Sequence, residues 1–251
     1  MIRSFLIRGM LCGIVAGILA FIFAHQFGEP SINRAIAFET QMRIASGKPP
    51  EPEMFSRAIQ SGIGLFTAVV AVGAALGGFF ALGCAVAYGR LGSLGVRSIA
   101  ALLAAAAFVS LELVPSLKYP ANPPSIGLPN TIGLRTELFF SMIAISILTM
   151  ILAGTLGVAF TQRLGHWNAS LLAAGVYIAG IGIAQLILPD INEVPAGFSA
   201  VVLWHFRIAS IGTHVVLWST LGLLFGYLTE RSQKRSTLDR MPRSIPHPEM
   251  S

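Results

Sequence analysis

Charged residues are scarce in this chain: Asp, Glu, Lys and Arg make up only 11% of its 251 residues. Soluble domains carry about 25%, so a chain with so little charge cannot cover a water-facing surface. Instead, 54% of the residues are hydrophobic, and the mean hydropathy is +0.73. These values predict an all-α, multi-pass membrane protein. The net charge of +6 then reports membrane topology and gives no reason to expect a nucleic-acid partner.

Several chemical motifs are missing as well. The two cysteines, Cys12 and Cys84, lie inside apolar runs, where we expect small buried hydrophobic side chains, and no metal-type cysteine spacing exists. The sequence has no G-x-x-x-x-G-K-[ST] run, no H-E-x-x-H helix and no nucleophile–base pair. We therefore expect no enzyme, and any energy for transport must come from a gradient or from a separate ATPase.

Six apolar runs are long enough to cross a bilayer, which takes about 20 residues. Their predicted bounds are 5–27, 61–88, 98–117, 137–161, 169–189 and 204–228. The third run contains Glu112 and Pro115, so five spans is the alternative count. The first run is predicted to be an uncleaved helix, because it is long enough to span and no clear cleavage site follows it. Residues 1–228 form the predicted transmembrane domain, and 229–251 a disordered tail.

The distribution of charge predicts the orientation of these spans. Six spans place both termini on one side of the membrane. With the termini inside, the inner segments hold ten basic and three acidic residues, whereas the outer segments hold seven basic and eight acidic residues. The positive-inside rule therefore predicts that both termini, including the tail, are cytoplasmic.

The three predicted outer loops carry more polar chemistry than connections need. In the first, an apolar stripe from Ile32 to Ala45, with Glu39 and Arg43 spaced to form an ion pair, predicts an amphipathic helix on the membrane face. The third reads LPDINEVPAGF at positions 188–198. Its carboxylates are candidates either to bind a divalent cation or to pair with an arginine of the last span.

The second outer loop, SLKYPANPPSIGLPNTIGLRT at positions 116–136, is rich in proline. Proline fixes φ and restricts the preceding residue, and irregular backbone near hydrocarbon must pack on protein or line water. Both constraints hold Lys118, Tyr119, Asn122 and Arg135 in defined positions. The loop is predicted to form a substrate site, a lid or a subunit contact.

Ionisable side chains inside the spans are functional candidates, because each costs about 2.5–3.5 kcal/mol to insert. Arg207, Ser210 and His214 share one face of the last span over about 10 Å. Glu112 lies near the outer end of the third span and needs a cationic partner, for which the two cations of the second loop are the candidates. These positions predict a polar cavity that faces outward, with histidines and carboxylates at its base and cations at its rim.

The candidate metal ligands are two histidines and three carboxylates. Nitrogen and oxygen ligands without thiolates suit divalent cobalt, nickel or zinc rather than monovalent copper. The spacing matches no recognised coordination motif, and each histidine has a structural alternative, at the headgroup interface or on a neighbouring backbone carbonyl. The five residues are His25, Glu112, Asp190, Glu193 and His214.

Long stretches of the chain resemble a known family, the CbtA family of predicted cobalt transporter subunits. The likeness runs from the first span to the last and leaves out the tail. It rests on the segments FAHQF, LKYPANPP, TIGLRT, LPDINEVPAGF and LWHFRIASIGTHVVLW. The matching positions are Lys118, Tyr119, Pro120, Asn122, Pro123, Arg135, Glu193, Arg207 and His214.

This resemblance implies a subunit for cobalt uptake, linked to cobalamin synthesis and placed in the bacterial cell membrane. It implies cobalt(II) as the transported ion, no permanently bound cofactor, and a small one-helix CbtB-type partner with a histidine-rich end. A homo-oligomer is left open. The family is often described with five spans, and the third run is where we expect the counts to part.

The outer cations raise an objection to a bare metal ion as substrate, because they would repel it. Either Glu112, Asp190 and Glu193 neutralise them, or the substrate is an anionic or chelated species such as a cobalamin precursor. A third reading is a scaffold that transports nothing and docks a partner through its rigid outer loops.

Overall fold

The computed structural model describes residues 2–47, 49, 54–92, 94–124 and 126–238, and these residues contain helices and no strands. The prediction of an all-α fold is confirmed. The α-helices are α1 Ile2–Phe23, α2 Glu29–Ala45, α3 Arg57–Ile59, α4 Leu65–Ala87, α5 Val96–Ala107, α6 Val114–Lys118, α7 Ile132–Ile187 and α8 Ala200–Leu238, and a 3₁₀ turn covers Pro129–Thr131.

Several of these helices join end to end into longer ones. In the described residues, five helical stretches are long and apolar enough to cross a membrane. They are Arg3–Ala45, Arg57–Ala87, Val96–Lys118, Ile132–Ile187 and Ala200–Arg235.

The longest helix, α7, is a pair of antiparallel helices. Its 56 residues would extend about 84 Å if straight, against a hydrocarbon core of about 30 Å. The backbone is non-helical at Gly165, with φ 76° and ψ 164°. On either side of this residue, the hydroxyls of Ser146 and Tyr177 are 2.8 Å apart, and Thr149 packs on Gly180. The chain therefore reverses at Gly165, and the fourth and fifth apolar runs lie on opposite sides of the reversal.

The third apolar run does not cause the difference in span count. It forms one continuous helical stretch from Val96 to Lys118, in which Pro115 occupies the first turn of α6. Pro115 lies just after the π-helical turn Phe108–Leu113, where the regular hydrogen-bond ladder is already interrupted, so the missing N–H of proline does not break the stretch. The counts of five and six spans differ at Gly165 instead. The hydrogen-bond pattern makes a single helix across this residue, whereas each half of that helix is long enough to cross a membrane by itself.

In the part of the chain that the structure describes, three π-helical turns interrupt the spans, at Ala24–Gly28, Gln60–Gly64 and Phe108–Leu113. Each adds a residue to the helical repeat, and such turns are frequent at functional sites. The first contains His25 and the third contains Glu112, so two of the predicted intramembrane residues lie in irregular turns.

Helices α1 and α4 pack backbone against backbone along a row of glycines. A Cβ atom added to Gly73 would lie 2.5 Å from the carbonyl oxygen of Gly13 and 3.0 Å from Cα of Gly17. A Cβ atom on Gly77 would collide with the carbonyl of Gly9. Such contacts between small residues drive helix association in lipid, where no hydrophobic effect operates between helices.

The main hydrophobic core joins α1, α4, α5 and α8. Phe225 is fully buried, and its ring meets those of Phe5 and Phe80 edge-on at 5.7 and 5.6 Å. Cys12 and Cys84 are buried in the same cluster, which confirms that they act as small hydrophobic side chains.

The two helical ends of the chain lie together at one end of the bundle, where Arg8 of α1 and Arg231 of α8 line one groove. The outer loops meet at the opposite end, where Ala35, Ile126 and Phe198 form a buried cluster. The beginning of α1 and the end of α8 therefore share one side, and the cytoplasmic placement of that side remains a prediction.

The helix expected in the first outer loop is present, but it continues the first span. Glu39 and Arg43 are 3.6 Å apart, as the spacing predicts. Part of its apolar stripe faces protein rather than the membrane, because Ala35 is fully buried and Phe38 meets Phe198 of the third outer loop at 5.2 Å. The far end of the stripe, at Met42 and Ala45, is exposed.

The predicted disordered tail begins too early. Helix α8 continues to Leu238, so residues 229–238 are helical. Residues 239–251 of that tail lie outside the described residues.

Candidate functional site

A cavity of about 660 Å³ lies between the second and third outer loops and the adjoining ends of the helices. Its acidic and basic lining consists of two carboxylates, two arginines and a histidine. With the histidine neutral, these charges cancel. The five residues are Glu112, Arg135, Glu193, Arg207 and His214.

The proline-rich second loop is held in place by the third loop. Lys118 forms an ion pair with Asp190 and donates a hydrogen bond from Nζ to the carbonyl of Gln185 at 2.8 Å. Only 7% of the Lys118 side chain is exposed. The Tyr119 hydroxyl donates to the carbonyl of Pro189 at 2.8 Å. These contacts fix both loops over the mouth of the cavity.

A second ion pair joins the loops at the rim of the cavity. Nε of Arg135 lies 3.4 Å from Oε2 of Glu193, and the Leu128 N–H donates to the same oxygen at 2.9 Å. The Thr131 hydroxyl, the Leu128 N–H and the charge of Arg135 lower the pKa of Glu193 below its ordinary value. The Arg135 guanidinium also packs over Gly127, whose φ of 124° favours glycine.

Arg207 connects the last span to the second loop through neutral oxygens. Its Nη2 donates to Oδ1 of Asn122 at 3.0 Å, and its Nε donates to the carbonyl of Ala121 at 3.3 Å. The prediction that it pairs with Asp190 or Glu193 is wrong, because those carboxylates already pair with lysine and arginine of the second loop. The charge of Arg207 therefore remains without an acidic partner in the described residues.

At the base of the cavity, Oε1 of Glu112 lies 3.2 Å from Nδ1 of His214. The prediction that a cation of the second loop pairs with Glu112 is wrong, because Lys118 and Arg135 turn toward the third loop, while α8 places His214 opposite the carboxylate. One turn further along α8, the indole of Trp218 faces the same carboxylate.

Two buried nitrogen atoms at the base of the cavity have unused hydrogen-bonding capacity. Nδ1 of His214 and Nε1 of Trp218 are buried, and neither makes a well-formed hydrogen bond within the described part of the chain. An unsatisfied buried polar atom costs about 1–3 kcal/mol and calls for an explanation such as an ion or a ligand. The indole N–H of Trp218 can only donate, so its unused capacity calls for an acceptor, whereas a ring nitrogen of His214 and the oxygens of Glu112 are the atoms that can bind a cation.

A second, more apolar cavity of about 380 Å³ lies on the other side of this base, next to the π-helical turn Ala24–Gly28, α2 and α4. Glu112, Ser210 and His214 line both cavities. The second cavity extends to Glu29, which is buried and pairs with Arg57. The base residues thus stand where the two spaces meet.

Most of the predicted site residues come together here. Lys118 and Asp190 pair beside the cavity, while His25 lies apart, with its ring 5.7 Å from that of Phe21. The predicted residues that line the cavity are Glu112, Tyr119, Asn122, Arg135, Glu193, Arg207, Ser210 and His214.

The residues of the site that sequence reasoning did not propose include Ser116, Phe139, Phe140 and Trp218. Ser116 and Trp218 each lie four positions after a predicted site residue, so the helical repeat was a usable signal for both. The two phenylalanines carry no such signal, because an aromatic residue in a membrane span is ordinary.

The five predicted metal ligands do not assemble into one site. In the described residues, no three His, Cys, Asp or Glu side chains lie close enough together to hold a metal ion. The carboxylates of the third loop are neutralised by basic residues, and His25 is remote. Glu112 and His214 are the members of the set that meet.

These features define a class, the multi-pass membrane proteins whose helices enclose a polar, ionisable site. The family model described as "Probable cobalt transporter subunit (CbtA)" matches residues 2–230. The match covers nearly the whole chain, so the chain belongs to this family, as the loop motifs indicate. The role of a transporter subunit is not enzymatic, and it implies partner subunits in the membrane. Comparisons with curated proteins and with solved structures gave no match.

Proposed function

We propose that this chain forms the pathway by which divalent cobalt enters the cell, with Glu112 and His214 as the cation site. The observation that carries the proposal is their position. The carboxylate and the imidazole are 3.2 Å apart, and both line the two cavities that meet at them. An ion that passes from one cavity to the other must pass this pair.

The chemistry of the pair suits cobalt. A carboxylate oxygen and an imidazole nitrogen are ligands that divalent cobalt accepts. Two protein ligands leave the remaining coordination positions to water, which the outer cavity has room to hold. A transported ion must bind well enough to enter and weakly enough to leave, and a site with few protein ligands meets both requirements.

The charges at the rim are compatible with passage of a cation. Pairing with Asp190 and Glu193 neutralises Lys118 and Arg135, which removes two of the three repulsive charges. Arg207 lies about 10 Å from His214 along the helix axis. At that distance a single and a double charge repel by about 0.8 kcal/mol in bulk water and by about 3.3 kcal/mol at the effective dielectric of a protein site. The carboxylate of Glu112, which lies closer to the proposed ion position, offsets this repulsion.

Uptake of radioactive cobalt in cells that depend on this chain tests the proposal. Glu112→Gln and His214→Gln keep the size of each side chain while removing its charge or its metal-binding nitrogen. Each should lower uptake severely at unchanged membrane insertion. His25→Gln is the matched control, because that histidine lies outside both cavities, and it should transport normally. Normal uptake by His214→Gln would refute the assigned site.

A second candidate substrate is an anionic or chelated species, such as a cobalamin precursor. The observation that favours it is the size of the outer cavity, about 660 Å³, which is within the range of sites for small organic molecules. Arg207 adds a positive charge that has no acidic partner among the described residues. Arg207→Gln separates the two candidates. It should lower uptake of an anionic chelate and leave uptake of the free ion unchanged or raised.

The membership in a family of transporter subunits supports a partner, for which we propose the small histidine-rich CbtB-type protein. We further propose that the pair supplies cobalt for cobalamin synthesis across the inner membrane of a bacterium. Cobalamin production at limiting cobalt, with this chain and its partner present singly and together, tests this assignment. Full production with the partner removed would contradict it.

A further inference from the structure

A basic groove lies at the end of the bundle opposite the outer cavity. It has a volume of about 650 Å³ and runs between the first turns of α1 and the last part of α8. Its charged lining consists of Arg8, Arg231 and Arg235. No acidic side chain lines it within the described residues, so the groove is strongly positive.

The groove holds its charge without internal compensation. The acidic residue nearest in sequence, Glu230, faces away from it and pairs with Arg97 at 3.8 Å and with Lys234 at 3.3 Å. Arg231 and Arg235 are one turn apart on the same helix face, an arrangement of like charges that destabilises a helix. A bound anion would offset this repulsion.

Beside the arginines, the groove has an apolar wall. Ile7 and Leu11 of α1 and Leu228 of α8 line it, and the side chains of Ile7 and Leu11 are 46% and 58% exposed. These residues belong to segments of membrane-spanning length, so the wall continues from the arginines toward the hydrocarbon. A free phosphate ion would contact only the arginines. A phospholipid would contact the arginines with its headgroup and the apolar wall with an acyl chain.

We propose that this groove is a binding site for an anionic phospholipid. The arginines hold the phosphate through charge-assisted hydrogen bonds, and one acyl chain lies along Ile7 and Leu11. Basic pockets between membrane helices bind anionic headgroups in this way. This inference does not depend on which substrate the outer cavity takes.

Lipid binding to the purified full chain in neutral detergent tests the proposal. Native mass spectrometry counts retained lipid during titration with phosphatidylglycerol, and phosphatidylcholine serves as the uncharged comparison. Arg231→Gln with Arg235→Gln should weaken phosphatidylglycerol binding about 30-fold, given the usual contribution of two basic residues to anionic lipid binding. The matched control is Arg3→Gln with Lys234→Gln, which removes the same charge outside the groove and should bind normally.

Three results would overturn the proposal. Equal weakening in the control pair would show that total charge decides binding. Equal binding of phosphatidylcholine would remove the role of the headgroup. Inorganic phosphate that displaces the lipid at matched concentration would show a simple anion site. If the double variant does not insert, Arg235→Gln alone, at an exposed position of α8, is measured in its place and should show part of the loss.

Discussion

The close approach of α1 and α4 makes Gly73 unusually intolerant of a methyl group. In Gly73→Ala, the new Cβ would lie 2.5 Å from the carbonyl oxygen of Gly13 and 3.0 Å from Cα of Gly17. Carbon–oxygen contacts are ordinarily about 3.3–3.6 Å, so the helices must separate by about 1 Å. Overpacking of this kind costs about 1–3 kcal/mol, and the loss should appear in the free energy of unfolding.

The same helix offers a matched control for this substitution. Gly83 has no atom within 4 Å of an added Cβ, so Gly83→Ala changes helix propensity alone. Both alanines gain about 1 kcal/mol of propensity relative to glycine, and this gain cancels in the comparison. We therefore expect Gly73→Ala to be less stable than Gly83→Ala by about 1–3 kcal/mol.

Reversible unfolding in mixed micelles of neutral detergent and dodecyl sulfate measures this difference. Gly77→Ala, which meets the carbonyl of Gly9, should behave like Gly73→Ala. Equal stability of Gly73→Ala and Gly83→Ala would refute the backbone-to-backbone packing of α1 on α4.

Three further predictions concern the loops and the topology. Since the folded-state pKa of Glu193 is depressed below 4.5, its stabilising contribution is present above that pH and is lost as pH falls through the lower folded value. Glu193→Gln should therefore be less stable than wild type at pH 7, with a gap that closes in acid, and a constant gap across a thermal-stability series would refute this. Arg207→Ala should lose about 1.5–3 kcal/mol, as expected for hydrogen bonds to a charged group, with partial rescue by lysine; unchanged stability would argue against its loop contacts. Reporter fusions should place Arg163 inside and Asn122 outside, and a cytoplasmic Asn122 would overturn the outward-facing cavity.

The sequence predicted the helical class and a polar cavity beside the second and third loops, because both rest on strong local signals. Long apolar runs permit few structures in a bilayer. Prolines on both sides of Lys118 and Asn122 restrict the backbone enough to predict a rigid loop. The shared helix face of Arg207 and His214 follows from the helical repeat alone.

The pairing of charges was not predictable in the same way. Several carboxylates and cations lie near the outer end of the bundle, and the choice among them depends on how the helices pack. Glu112 also lies in a π-helical turn, whose extra residue shifts the helical repeat by about 100°. A pattern of period 3.6 therefore cannot tell which neighbour this carboxylate faces, and the structure shows that it faces His214.

The contact between α1 and α4 had a readable signal that the apolar pattern obscured. Gly9, Gly13 and Gly17 follow one another at intervals of four in the first span, and Gly73 and Gly77 do the same in the second. This spacing is typical of helices that pack closely in membranes. A count of hydrophobic residues gives no weight to these glycines. It therefore predicts that both spans exist but does not predict that α1 packs on α4.

Binding of cobalt(II) to the purified chain tests the proposed cation site most directly. Equilibrium dialysis at neutral pH compares wild type with Glu112→Gln, His214→Gln and His25→Gln. Wild type and His25→Gln should bind the ion equally, whereas loss of either base ligand should weaken binding at least about tenfold, or about 1.4 kcal/mol. The bound ion should also lose the visible absorption of a nitrogen ligand in His214→Gln. Equal affinity and an unchanged spectrum in His214→Gln would contradict the assignment of Glu112 and His214 as the site through which cobalt passes.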